Sequence, residues 1–243
     1  MSLLASKITK QGVYKSRGYS TRTNAGLDNI STYRKMFFFE ELGERVITIM
    51  TAGSLSVTQT TIARLREAVE EPEASAETSI MLAPTMLKVA VIIGATLAAV
   101  RREVDEKLSA MNQGASASMI VAAQRKSGAM RLFLIYPEGN FIEATEDTPF
   151  LQIGEHKYGK PILDRVVNPA TSLADAEKAV LLSMDSTLRS NLSVGMPLDM
   201  CVIEKDACRV SRKRRIEAGD AAFRAMSDAW SGALRDGFAQ IKL

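Results

Sequence analysis

Histidine is nearly absent from this chain: His156 is the one imidazole in 243 residues. Any catalytic or metal site that needs two histidines is therefore excluded, and the lone ring reads as a surface or interface residue. Cysteine is almost as scarce. Cys201 sits in a strand-like stretch and Cys208 just beyond it, with no second Cys or His pair at ligand spacing, so both are expected as free thiols rather than a disulfide or a zinc site. Charge of one sign is also missing. A net charge of +3 is too small to imply a nucleic-acid partner, and the densest basic run, Arg212-Lys213-Arg214-Arg215, has no aromatic residues interleaved for base stacking. That run reads as a solvated or subunit-facing patch. The longest apolar run, 89–100, is shorter than a membrane span and is bracketed by Lys88 and Arg101-Arg102, which makes it a buried helix. The N-terminus carries Lys7 and Lys10 without an apolar core and cleavage site, so no secretory signal is expected and the location is expected to be cytoplasmic. There is no repeat, low-complexity tract or linker. With 46% hydrophobic and 24% charged residues, 1–243 is read as one domain with a well-buried core.

What is present has a clear order. Positions 45–50 alternate and are rich in β-branched residues, and they run into Ala52-Gly53 as a strand would run into a site. Helical spacing follows over 57–70, with Ile62, Leu65 and Val69 on one face, until Glu71-Pro72-Glu73 breaks it. A second long helix is expected over 84–111, opened by Pro84, with Leu87, Val91, Ile92, Ala95 and Ala99 as its apolar stripe. Strands are expected at 118–124, at 130–136 paired with 141–145 across the turn Pro137-Glu138-Gly139-Asn140, at 150–153, at 163–167 and at 198–204. A helix capped by Ser172 spans 173–191, facing Ala176, Val180 and Leu181 inward. The chain closes on an amphipathic helix over 217–242 with Phe223, Met226, Trp230 and Leu234 on one side. Helices, strands and helices in that order suit an α+β four-layer αββα sandwich.

The polar block Thr21-Arg22-Thr23-Asn24-Ala25-Gly26, continuing to Lys35, precedes an apolar run that delivers Thr51-Ala52-Gly53-Ser54. This places a lysine and a glycine N–H at adjacent strand ends. A terminal Ser or Thr hydroxyl attacks an amide when its own α-amine, of unperturbed pKa roughly 8, takes the proton and a nearby ammonium keeps that amine neutral. Lys35 fits the ammonium. Gly53 fits the oxyanion donor, since a residue without Cβ lets substrate backbone come close.

On these residues the chain resembles proteasome-type subunits, and most closely the bacterial Anbu-type homologues. The likeness continues through Ile153-Gly154-Glu155-His156-Lys157-Tyr158-Gly159-Lys160-Pro161 and through Asp185-Ser186-Thr187-Leu188-Arg189-Ser190-Asn191-Leu192-Ser193-Val194-Gly195. It covers about 21–209. The resemblance implies the αββα fold, hydrolysis of peptide amides by an N-terminal nucleophile, no metal or nucleotide cofactor, and self-assembly into a ring or an open helical ring of identical subunits. It says nothing about an ATP-driven unfoldase, and neither nucleic acid nor membrane is an expected partner. It further implies that Ser193 hydrogen-bonds the terminal amine, that Thr23 and Asn24 bind an extended substrate through their backbone, and that Thr51 and Leu55 shape the pocket for the substrate side chain before the cut. For Ser190, Asn191 and Ser193 a plainer reading is a helix C-terminus turning on Asn and Gly195.

Residues 1–20 are atypical for that family, which begins with Met and a nucleophilic Thr and carries an Asp just before the Arg of the polar block. Here Met1 is followed by Ser2, and Ser20 stands at the Asp position. Ser2 is the candidate nucleophile, exposed by ordinary removal of Met1. Anchoring on Gly12 places Ser2 at the nucleophile position with a short insertion before Ser20, whereas an ungapped alignment places the unreactive Leu4 there. The plain reading of Ser2 is an ordinary disordered terminus. A buried lysine without a carboxylate loses charge or swings outward, and Asp28 is the candidate substitute partner for Lys35. The rival expectation is a structural or binding subunit that keeps the fold and has lost the chemistry; hydrolysis of a non-peptide amide is a third.

Overall fold

A computed structural model of the chain describes residues 3–9, 12–19, 33–108 and 115–242. Among the described residues ten strands and five helices follow in the order β1 (Leu3–Thr9), β2 (Gly12–Tyr19), β3 (Met36–Glu41), β4 (Arg45–Gly53), α1 (Leu55–Glu70), α2 (Met86–Leu108), β5 (Ala117–Arg125), β6 (Arg131–Ile135), β7 (Phe141–Glu143), β8 (Phe150–Gly154), α3 (Lys160–Val166), α4 (Leu173–Ser190), β9 (Gly195–Glu204), β10 (Arg212–Ile216) and α5 (Ala221–Gln240). They form two five-stranded antiparallel sheets, ordered β3-β4-β5-β6-β7 and β10-β9-β2-β1-β8.

Strand alternation decides which layer each side chain joins. On β4, Ile47 and Ile49 pack with Val57, Ile62 and Leu65 of α1 and with Val89, Ile93 and Leu97 of α2. Their neighbours Met50 and Ala52 point the other way, into a cluster with Leu151, Ile153 and Cys201 of the second sheet. Strands β5 and β6 divide in the same manner. A third cluster joins Leu198, Met200 and Val202 of β9 to Ala176, Leu181 and Met184 of α4 and Phe223 of α5. The shared clusters order the elements as helices, sheet, sheet, helices, which is the αββα arrangement expected. It also explains why β4 is buried from Val46 to Ala52 although antiparallel: helices cover one face and the second sheet the other.

Three local expectations are corrected. The segment 163–167 is not a strand but the end of α3 with its flanking residue, capped at Gly159, with Pro161 in its first turn and Lys160 paired with Asp164 at 2.6 Å one turn apart. Helix α2 starts after Thr85, whose Oγ1 accepts from the Lys88 N–H at 3.1 Å, so Pro84 precedes the cap. Its inward face is Val89, Ala90, Ile93, Leu97 and Val100, whereas Leu87, Val91 and Ala95 are exposed. Its stretch 89–100 is apolar nearly all round, so periodicity could not choose the face there. On the packed side Gly94 also meets Gly139 of the β6–β7 turn backbone to backbone. On α5, Phe223 is buried and Met226 and Trp230 half-buried, but Leu234 is exposed, because the second half of the helix runs past the layer beneath it.

Candidate active site

At one edge of the first sheet, Lys35 immediately precedes β3 and is buried. Its carbonyl accepts from the Thr51 N–H at 2.9 Å, which ties the start of β3 to the last turns of β4. The Ser54 N–H then donates to the Ser116 carbonyl at 2.8 Å on the opposite side. In an antiparallel ladder that bond makes Gly53 and Ala117 a non-hydrogen-bonded pair, so the Gly53 N–H is directed away from β5, toward the side on which β3 has already ended. This is the orientation an oxyanion donor needs.

Gly53 has a second, purely local reason to be glycine. Its φ is +106°, and a Cβ there would lie 2.2 Å from the Ser116 carbonyl oxygen and 2.8 Å from the Ala117 Cα. Thr51 is fully buried, and its Oγ1 has no hydrogen-bond partner among the described residues. It shares the helix-facing side of β4 with Ile49. Leu55, half-buried, opens α1, whose cap is Ser54; the Thr58 hydroxyl donates back to the Ser54 and Leu55 carbonyls at 2.9 Å each. Lys35, Thr51, Gly53 and Leu55 therefore lie along one strand end and the helix it feeds.

The second sheet contributes Ser193. Strand β1 lies between β2 and β8, with Leu3 opposite Gly154 and, one strand over, Tyr19 opposite Gly195. The start of β1, the end of β8 and the start of β9 thus share one end of this sheet. There the Ser193 N–H and Oγ–H both donate to Asn191 Oδ1, at 2.8 and 2.6 Å, and Asn191 Nδ2 donates to Glu155 Oε2 at 3.0 Å. With its proton committed to Asn191, the Ser193 oxygen has only lone pairs to offer elsewhere. Asn191 is also the C-cap of α4, and the Val194 N–H closes a turn on its carbonyl at 3.1 Å. The helix-end reading of this loop is thus what the described residues show. Ser190 is exposed.

Ser2, Thr23 and Asn24, together with Ser20 and Asp28, lie outside the described residues. The sequence assigns Glu155, within the stretch 153–161, no role; its contact with Asn191, 36 positions away, is what distinguishes it. His156 is exposed, and its ring makes a local contact, Nδ1 to the Gly154 carbonyl at 3.2 Å. Both cysteines are buried free thiols. Among the described residues no group of His, Cys, Asp and Glu is arranged to hold a metal ion, and no helix is long and apolar enough to cross a membrane. The basic run lies on edge strand β10 with every charge answered: Arg212 by Glu177, Lys213 by Glu40, Arg214 by Asp220, Arg215 by Asp199 and Glu217. Charged residues on an edge also discourage unwanted strand pairing.

No family model and no curated protein matches the chain. Solved structures do. A Gly-1 mutant of Anbu from Hyphomicrobium sp. strain MC1 is 42% identical with a TM-score of 0.91, covering 100% of this chain and 99% of that one. Anbu, described as the ancestral beta-subunit, from Yersinia bercovieri is 37% identical with a TM-score of 0.89, covering 100% and 98%. Anbu from Pseudomonas aeruginosa, solved as a helical assembly of the Anbu complex, is 38% identical with a TM-score of 0.90, covering 99% and 97%. At these identities, over the full length and with the same two-sheet architecture, the chain belongs to the Anbu family of proteasome homologues.

Proposed function

We propose that this chain is an N-terminal nucleophile peptidase of proteasome type, acting on peptide amides. Ser2, freed of Met1, attacks the substrate carbonyl carbon, and its hydroxyl proton passes to its own α-amine. That proton then goes to the departing amine as the peptide C–N bond breaks. Water hydrolyses the resulting ester on Ser2 and restores the hydroxyl. Lys35, as an ammonium, keeps the α-amine neutral and basic enough to take the proton. The Gly53 N–H holds the oxyanion, and Ser193 accepts a hydrogen bond from the amine. Leu55 and the buried Thr51 shape the side-chain pocket, while Thr23 and Asn24 hold the substrate backbone as an added strand.

The observation that carries this reading is the state of Ser193: its hydroxyl proton is turned onto Asn191, so its oxygen is an acceptor at the end of the sheet where β1 begins. An acceptor is what an amine at the head of β1 requires. The reading extends to assembly in the cytoplasm into a ring or open helical ring of identical subunits, in line with the helical assembly of the Pseudomonas aeruginosa relative.

Treating the purified protein with a β-lactone aimed at N-terminal nucleophiles, followed by intact mass and fragmentation, tests it. An adduct on Ser2 with Met1 gone is the expected result. The second reading, a proteasome-like subunit without chemistry, is favoured by Ser20, which stands where the family carries the carboxylate that partners the lysine. No adduct, while a relative with the usual Thr and Asp reacts alongside, would decide for that subunit.

A further inference from the structure

The geometry points to Glu155 as a positioning residue that sets the direction of the hydrogen-bond chain Glu155–Asn191–Ser193 and, through it, the acceptor state of Ser193. What that chain orients rests on the proposed peptidase reading; the chain itself does not.

An Asn alone, turned back on the residue two positions later, is an ordinary local turn. Here the far side of the amide is also engaged, by a residue from another element. Glu155 follows β8 directly, and its Oε2 takes the Asn191 Nδ2–H at 3.0 Å. An ionised carboxylate is acceptor-only and the Ser193 backbone N–H donor-only, so the two together hold the Asn191 amide with its NH2 toward Glu155 and its oxygen toward Ser193. Asn191 Oδ1 then accepts from both the backbone N–H and the hydroxyl of Ser193, at 2.8 and 2.6 Å. The serine oxygen is left with lone pairs alone. Donation to a charged acceptor also polarises the amide and strengthens what its oxygen accepts. Glu155, Asn191 and Ser193 are all half-buried, where such bonds are less diluted by water.

The position fits the role. Gly154, the neighbour of Glu155, is opposite Leu3, so the carboxylate lies at the end of the sheet from which β1 starts. Ser190, exposed at the end of α4, brings no charge to this loop. Glu155 delivers a negative charge to the same loop from the adjacent strand end, acting through Asn191.

Exchange of donor and acceptor tests the chain. Asn191→Asp sets two carboxylates against each other; Glu155→Gln combined with Asn191→Asp restores one charge with the donor now on residue 155. The β-lactone acylation rate constant at Ser2 is expected to fall roughly ten- to a hundredfold in the single variant, with the half-saturating concentration unchanged, and to return near the parent value in the double variant. A double variant as slow as the single one overturns the inference. Crystal structures of the parent and of Glu155→Ala judge it without any reaction. The Ser193 hydroxyl is expected on Asn191 Oδ1 in the parent and off it in the variant, and a hydroxyl that stays in place without Glu155 overturns the inference. An unreactive parent whose Ser193 turns in Glu155→Ala removes the peptidase reading and leaves the chain of bonds standing.

Discussion

Gly94 of α2 and Gly139 of the β6–β7 turn meet backbone to backbone: a Cβ on Gly94 would lie 2.2 Å from the Gly139 carbonyl oxygen, and one on Gly139 would lie 2.6 Å from that of Gly94. Neither neighbour is a side-chain tip that could swing aside. Gly139 also holds φ +89°, which adds backbone cost for any other residue. Gly94→Ala is expected to destabilise by about 1–3 kcal/mol through forced separation of helix and turn. For a chain of this size each kcal/mol lowers the melting midpoint by roughly 2–4 °C. Thermal unfolding followed by circular dichroism reads this directly, and an unchanged midpoint would mean that α2 is held in place by something else.

The link between α4 and α5 makes a second prediction. Asp185 is buried; its Oδ1 accepts from the Ser227 hydroxyl at 2.6 Å, its Oδ2 accepts from Arg189 Nε at 3.2 Å, and Arg189 Nη2 donates to the Ser227 Oγ at 2.6 Å. Ser227→Ala removes the donor on the partner helix and leaves a carboxylate oxygen short of a bond, which costs about 1–3 kcal/mol. The loss should fall on α5, so its amides should exchange with deuterium faster while those of β4 and β5 keep their protection. Equal loosening everywhere would count against a local role for this network.

Cys208 offers a third test, in pH. Burial pushes its thiol above the ordinary range, and the carboxylates of Asp206 and Glu44 add to the shift. The folded state therefore keeps the thiol neutral where the unfolded chain ionises it. This favours folding fully below the ordinary thiol pKa of roughly 8.5 and is lost as pH rises through the higher folded value. Cys208→Ser is expected to flatten the fall in stability on the alkaline side, seen as denaturant midpoints between neutral and alkaline pH. In the folded protein at neutral pH, Cys208 should react with iodoacetamide far more slowly than in denaturant.

Much of the architecture was legible along the chain because strand and helix periods write burial directly into neighbouring residues. Ile62, Leu65, Val180 and Leu181 lie inward where spacing put them, and the Pro137-Glu138-Gly139-Asn140 turn joins β6 to β7 as its residues demand. The segment 163–167 misled because Val166-Val167 looks like a strand, while the decisive signals, Pro161 and the Lys160–Asp164 pair, stand just upstream.

What the sequence by itself determined is what short-range patterns carry: the αββα order, the glycine closing β4, the lysine before β3, and the blocks by which the chain resembles its family. The tertiary structure alone decided which face of α2 turns inward, because the stretch 89–100 is apolar on every side and only packing on the sheet and the approach of Gly94 to Gly139 select among them. It alone answered each charge of 212–215 with an acidic partner from another segment or turn. And it alone joined Glu155 to Asn191, since a hydrogen bond depends on distance in space, and 36 positions of chain must fold back before two side chains can come within 3.0 Å.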